Sequence, residues 1–248
     1  MKWRVLKLGS FSCYENMAID EAISNGISEK ISEPTIRFYK WNPSAVSIGR
    51  FQSMEEEVNI INCNNSGIEY VRRITGGGAV FHDSDGELTY SIIGNEELFS
   101  KGIRESYKEI CSYLIEGLNN LGVRSTFVPI NDIIVGNKKI SGNAQSRKNG
   151  VVLQHGTILY KLNLLKMFSL LNVSKEKISD KMITNVEDRV TSVTNENPNI
   201  TFDNLYESIL NSFTKNKETY FGKLNEQEEK ETKELIKKYK SKEWNFYR

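Results

Sequence analysis

No apolar run in these 248 residues is long enough to cross a membrane as a helix, and the formal net charge is only +1. The first absence excludes a membrane-spanning helix. The second removes any bulk pull toward nucleic acid or an anionic membrane, so neither is expected as a partner. The opening Met1-Lys2-Trp3-Arg4-Val5-Leu6 alternates like a strand and lacks the apolar stretch of a secretory signal, so a cytoplasmic protein is expected. Cysteine is scarce as well. Cys13, Cys63 and Cys111 are scattered, odd in number and without metal-ligand or redox spacing, so they read as reduced structural thiols. The two histidines, His82 and His155, lie too far apart in sequence to suggest a metal site by themselves. There is no Walker pattern, no Gly-x-Gly-x-x-Gly, no Gly-x-Ser-x-Gly elbow and no Ser-His-Asp order. No linker rich in Gly, Ser or Pro and no internal repeat interrupts the chain. Residues 1–248 are therefore expected to form a single domain of mixed α/β class, its strands sharing a central sheet.

What is present suits that reading. Hydrophobic residues make up 38% and charged residues 26%, enough for a soluble chain with a sizeable core. The most informative stretch runs from Tyr70 to Ser91. Arg72 and Arg73 lead into Gly76-Gly77-Gly78, then Ala79-Val80-Phe81 and His82-Asp83, a turn, and a second alternating strand. Glycine has no Cβ, so three in a row let backbone N–H groups approach a ligand that a side chain would block. Beside two guanidinium groups they form a candidate anion site on a strand-to-strand loop.

Around that loop, strands are expected at residues 3–8, Thr35–Tyr39 and Ala45–Ile48, with a turn at Trp41-Asn42-Pro43. Helical spacing appears over residues 14–26, ended by Gly26, and over Lys101–Leu121, stopped by Gly122. Met54–Cys63 reads as a short acidic helix. Ile133–Val135 and Lys139-Ile140 flank Gly136-Asn137, a hairpin signal, and Val151–Leu153 and Thr157–Leu159 continue the β character. From residue 163 the chain turns helical and polar, with amphipathic helices at Asn204–Phe213 and Asn225–Tyr239. The charge run Glu226–Glu231 in the last is expected to be a solvated face.

A second constellation spans residues 131–157. Lys138 and Lys139 point to opposite faces of a strand, so one is directed toward the ligand face, where an ammonium can offset charge developing in acyl or nucleotidyl transfer. Two solvated lysines beside a turn is the plainer alternative. Asp132 can coordinate Mg²⁺, bond an adenine amine, or with Asn131 simply begin a turn. Gly142 and Gly156 can be ordinary turn glycines. A direct His82–Asp83 bond is not expected, because adjacent strand residues face opposite ways. Asp83, Asp85 and Glu87 read as a turn and its edge.

Taken together, Arg72-Arg73-Ile74-Thr75-Gly76-Gly77-Gly78-Ala79-Val80-Phe81-His82-Asp83, then Asn131-Asp132, then Lys139-Ile140-Ser141-Gly142, resemble the large domain of the lipoate–protein ligase A family. The likeness begins at Asn16–Ala22, passes through Arg37-Phe38-Tyr39, Ser47-Ile48-Gly49 and Phe51-Gln52, and ends near Lys238–Asn245. It implies a largely antiparallel or mixed sheet flanked by helices, as in biotin–protein ligases and class II aminoacyl-tRNA synthetases. It implies ATP, Mg²⁺ and lipoate as reactants, with lipoyl-AMP formed and its acyl group passed to a lysine of a lipoyl domain. The acceptor would be the E2 subunit of a 2-oxoacid dehydrogenase or the H protein of glycine cleavage. By position, Arg73, Gly76, Gly77, Gly78, Ala79, Val80 and Phe81 would hold the nucleotide, and Lys139 would be catalytic, touching carboxylate and α-phosphate. Asn131 and Asp132 would lie near adenine or metal, with Asp132 the metal ligand, while His82, Gly142 and His155 would line the site. Val80, Ile48 and Val71 are candidates for an apolar slot.

Family ligases carry a further small domain, or receive it as a separate accessory protein, and the sequence stops after Trp244-Asn245-Phe246-Tyr247-Arg248. Two rivals accompany the ligase reading. One is an octanoyltransferase, which the segment Gln145–Gly156 also resembles. Those enzymes place a cysteine nucleophile a few residues before Asn131, where this chain has Thr126–Ile130, so the expectation goes to the ligase. The other is a non-catalytic relative that binds lipoyl-adenylate.

Overall fold

The computed structural model describes residues 2–172 and 188–248. In chain order the elements are β1 (Lys2–Phe11), α1 (Cys13–Ser28), β2 (Thr35–Trp41), β3 (Ala45–Ile48), α2 (Met54–Glu57), α3 (Ile60–Asn65), β4 (Glu69–Arg72), β5 (Val80–His82) and β6 (Glu87–Asn95). They continue with α4 (Ile103–Asn120), β7 (Ser125–Val128), β8 (Asp132–Val135), β9 (Lys138–Lys148), β10 (Val151–Leu159) and α5 (Leu164–Leu170). The last are α6 (Val193–Glu196), α7 (Phe202–Thr214), β11 (Glu218–Gly222), α8 (Glu226–Lys240) and α9 (Lys242–Asn245).

Eight strands form one sheet in the order β11-β1-β2-β6-β10-β9-β8-β7, parallel across β11-β1-β2 and antiparallel from β2 onward. Helices cover both faces, so its central strands are buried along almost their whole length, polar residues such as Arg37, Ser91 and Gln154 included. Alternate residues go to opposite cores. Tyr90, Ile92 and Val152 pack with Leu114, Leu118, Leu205 and Phe213 of α4 and α7, while Ile93, Val151 and Leu153 pack with Ile19, Ile23 and Ile27 of α1. This is the mixed α/β class, a large mixed sheet flanked by helices, that the strand and helix signals lead to. Among the described residues no helix is long and apolar enough to cross a membrane.

The second sheet, β4-β3-β5, carries the glycine loop. β4 and β5 flank the glycines as expected, yet they do not pair with each other. β3 lies between them, parallel to β4 and antiparallel to β5. The loop is thus a crossover draped over β3, and its seat is Gly49, where a Cβ would lie 2.0 Å from the Gly77 carbonyl oxygen.

Several sequence expectations change in the structure. Gly26 sits inside α1, which runs on to Ser28; the residue is small because a Cβ there would meet Ser32 Oγ at 2.2 Å. The single helix expected over Met54–Cys63 is two, broken where Val58 bridges Leu171 and Asn59 caps α3 through its side chain. Strand β11 has no apolar alternation to announce it. The charged helix α8 is not merely solvated. Glu228 is buried and accepts from Arg4 of β1 at 2.7 Å, and Lys238 and Tyr239 both donate to Glu21 of α1. Part of the polar helical region expected after residue 163, at 173–187, lies outside the described residues.

Candidate functional site

A cavity of about 310 Å³ lies between the two sheets, within the size range of small-molecule sites. One wall is the loop and strand from Gly77 to His82, the other is β9 and β10 through Lys139, Gly142, Asn143, His155 and Gly156. Tyr39, Trp41, Leu159, Met167, Leu171 and Val190 supply apolar surface between them. The residues expected at the site converge here from three separate stretches of sequence: Arg73, Gly77, Gly78, Ala79, Val80, Phe81, His82, Asn131, Lys139, Gly142 and His155 all line it. Gly76 does not. Ile48 and Val71 are packed into cores behind the wall, with Met54 and Phe81 and with Trp41 and Tyr239 respectively.

The adjacent arginines diverge. Arg72 spends its guanidinium on backbone carbonyls of Arg50, Gln52, Trp244 and Asn245, tying the C-terminal helix to the loop after β3. It is a structural clamp, not half of an anion site. Arg73 faces the cavity. Its two terminal nitrogens donate to the Gly76 and Gly78 carbonyls at 2.8 Å and to Ser47 Oγ at 3.1 Å. Every one of these acceptors is neutral, and burial pulls the guanidinium down to about 10. Among the described residues Arg73 has no carboxylate partner, and a buried cation so placed can meet an anion or a developing oxyanion.

Lys139 lies across from it. Its backbone is fixed on both sides, donating to Arg189 O at 2.7 Å and accepting from Thr191 N at 2.8 Å. Its Nζ is 2.7 Å from Asp132 Oδ1. A Cβ at Gly142 would stand 2.8 Å from Lys139 Cε, so that glycine is what lets the lysine lie flat along the strand. Lys139, not Lys138, takes the ligand face. Asn131 is held by Asn143, whose side-chain amide donates to Asn131 O at 2.9 Å. Asp132, expected to ligate a metal, sits alone against the ammonium; among the described residues no group of three His, Cys, Asp or Glu is placed to share a metal ion. One carboxylate already engaged by a lysine does not by itself make a magnesium centre.

Both histidines belong to relays that the sequence did not reveal. His155 Nε2 is 2.7 Å from Thr75 Oγ1, and its Nδ1 is 3.5 Å from Asp20 Oδ2. Asp20 also accepts from Arg37 at 2.8 Å and Ser91 at 2.9 Å, so it joins α1 to β2, β6 and β10. His82 Nε2 is 2.8 Å from Ser47 Oγ, its Nδ1 is 2.7 Å from Glu87 Oε1, and its ring stacks 3.8 Å from Trp41. Ser47 and Glu87 carry no local signature, because their roles arise only when β3 and β6 meet the end of β5.

Burial pulls His155 below its ordinary value despite the opposing pull of Asp20. Burial pushes Asp20 up, but Arg37 and His155 outweigh it and the carboxyl ends below its ordinary range. Both folded values lie under the unfolded ones, so the unfolded chain binds more protons on acidification and stability falls with pH. The histidine part begins to be lost below about pH 6.5 and the aspartate part below about 3.9. The urea midpoint is therefore expected to decline as pH drops below about 6.5. His155→Gln should remove that first decline and leave the later one.

None of the three cysteines reaches the cavity. All are buried, burial being the main cause that pushes Cys63 up to about 11 and Cys111 to about 12, with Cys13 also raised.

This fold, with a glycine-walled cavity between a large mixed sheet and a small one, defines a catalytic domain of the lipoate ligase type. It superposes with a TM-score of 0.87 and 29% identity on a bi-partite lipoate protein ligase from Thermoplasma acidophilum, described with its E2 lipoyl domain, covering 99% of this chain and 96% of that one. A lipoate-protein ligase A bound with ATP matches at 0.82 and 28%, over 99% of each chain. The chain belongs to the lipoyl protein ligase A/B catalytic domain family, which matches residues 12–214. Curated relatives shift the activity within it. Octanoyltransferase LipM of Clostridioides difficile is 36% identical over 98% of both chains, and that of Staphylococcus aureus 34% over 98% of both. The expectation of an ATP-dependent lipoate ligase is thereby corrected. The absence of a cysteine from Thr126–Ile130 is one local signal, set against identity that extends over 98% of the chain.

Proposed function

We propose that the protein is an octanoyltransferase, moving an eight-carbon acyl group from an acyl carrier protein thioester to one lysine of a lipoyl domain, in an E2 subunit or an H protein. The observation that carries this is identity of 33–36% with octanoyltransferases along essentially the whole chain. The cavity suits the substrate. Ala79, Val80, Phe81, Leu159 and Met167 offer a carbon-lined path for an alkyl chain, with Arg73 and Lys139 as the cations that can meet the carbonyl end. Cations fixed before the reaction stabilise the oxyanion of a tetrahedral intermediate at little reorganisation cost. Ligation of free acid would add ATP and a mixed anhydride; a thioester donor needs neither, being already activated.

The test is a mass measurement. Purified protein, octanoyl-acyl carrier protein and an apo lipoyl domain are expected to give octanoyl-lysine with no nucleotide added. Modification that appears only with free octanoate or lipoate plus ATP overturns the proposal.

A further inference from the structure

Acyl transfer from a thioester commonly passes through a covalent intermediate, and the three thiols of this chain are sealed in its cores. Another nucleophile is in place. We infer that Ser47, activated by His82 and Glu87, accepts the acyl group as an oxygen ester before the lipoyl-domain lysine takes it. This rests on the octanoyltransferase reading.

The hydrogen positions follow from the partners. Glu87 can only accept, so His82 carries its hydrogen on Nδ1 and donates it at 2.7 Å, leaving Nε2 to accept. Arg73 can only donate, and it does so to Ser47 Oγ at 3.1 Å, so the serine hydrogen is directed to His82 Nε2 at 2.8 Å. The carboxylate is oriented in turn. Thr89 donates to Glu87 Oε1 at 3.0 Å, and Trp41 donates to Thr89 at 2.8 Å. Ser47 and Glu87 are each 1% exposed and His82 4%, so the chain of bonds is shielded from water, yet Ser47 and His82 open onto the cavity. Nucleophile, base and orienting acid thus stand in the order of a serine hydrolase triad. The Thr75–His155–Asp20 relay is weaker on both counts: its acid bond is 3.5 Å long, and Thr75 does not line the cavity.

In the first step Ser47 Oγ bonds to the thioester carbonyl carbon as its proton passes to His82 Nε2. The C–S bond breaks and the departing thiolate takes that proton. In the second, the lysine amine bonds to the same carbon and the C–Oγ bond breaks. The amine proton returns through His82 to Ser47. Thioester to ester to amide runs downhill at each stage.

The experiment incubates the whole protein with octanoyl-acyl carrier protein without acceptor, then weighs and maps it. One octanoyl group is expected on the Ser47 peptide, resistant to neutral hydroxylamine and discharged by adding lipoyl domain. Ser47→Cys should carry an adduct that neutral hydroxylamine now cleaves. Ser47→Ala, which removes one atom, should fold with a melting temperature lowered by only a few degrees, carry no adduct and transfer at least about 10³-fold more slowly. Ser47→Ala that transfers within about tenfold of the parent, or a parent that turns over but never acylates, overturns the inference while leaving the octanoyltransferase reading intact. A parent with no thioester-dependent transfer overturns both.

Discussion

Lys139→Ala is expected to slow acyl transfer by about 10²–10³-fold, with the change in kcat rather than KM, the loss seen when one preorganised oxyanion donor is removed. The lysine backbone is pinned by Arg189 and Thr191, so only the ammonium is lost. Its partner, Asp132, has one buried oxygen, Oδ1, but the side chain as a whole reaches solvent. Lys139 and Asp132 side chains are 40% and 34% exposed, and pairs of that exposure contribute within about 1 kcal/mol. Circular dichroism and the unfolding midpoint should therefore match the parent. Lys139→Arg tests geometry rather than charge: a planar guanidinium cannot lie along Gly142 as the straight lysine stem does. A folded Lys139→Ala protein that keeps more than a tenth of parent activity removes the lysine from the mechanism.

Arg37→Ala should be the most destabilising single change in the site's support. Arg37 and Asp20 side chains are each 2% exposed, and the guanidinium also donates to Asn16 O at 3.1 Å and lies 3.9 Å from the Tyr39 ring centre. Removing one member of such a pair leaves a buried charge uncompensated, a loss of about 3–5 kcal/mol. For a chain of this size that lowers Tm by roughly 6–20 °C. The Asp20→Ala/Arg37→Ala double variant should lose less than the sum of the single ones, because the stranded charge is gone. Additive losses in calorimetry would show that the two side chains act independently.

Much of the site is legible in the chain because its chemistry is local. Glycines 76–78, the Lys139–Gly142 spacing and the hairpin at Gly136-Asn137 are short-range patterns, and short-range sterics enforce them. Gly136 does take a positive φ of 58°. Local reading of charge failed at Arg72 and at Glu228. Arg72 and Arg73 are chemically identical neighbours, and alternation along the strand end sends one to the C-terminal carbonyls and the other to the cavity. Glu228 sits in a run that looks solvated, yet a buried guanidinium 224 residues away claims it. The expectation of a ligase fails for a related reason: it rests on one cysteine absent from one segment, whereas the identity to octanoyltransferases extends over 98% of the chain.

By itself the sequence determined the family, the α/β class, the glycine loop and which lysine-bearing strand to watch, since these rest on patterns within a few residues. Only the tertiary structure decided which groups meet. The Ser47–His82–Glu87 line is assembled from β3, β5 and β6, and the Asp20 hub from α1, β2, β6 and β10. Hydrogen bonds and ion pairs act over about 3 Å, and no spacing along the chain tells which distant residues the folded sheets will bring that close.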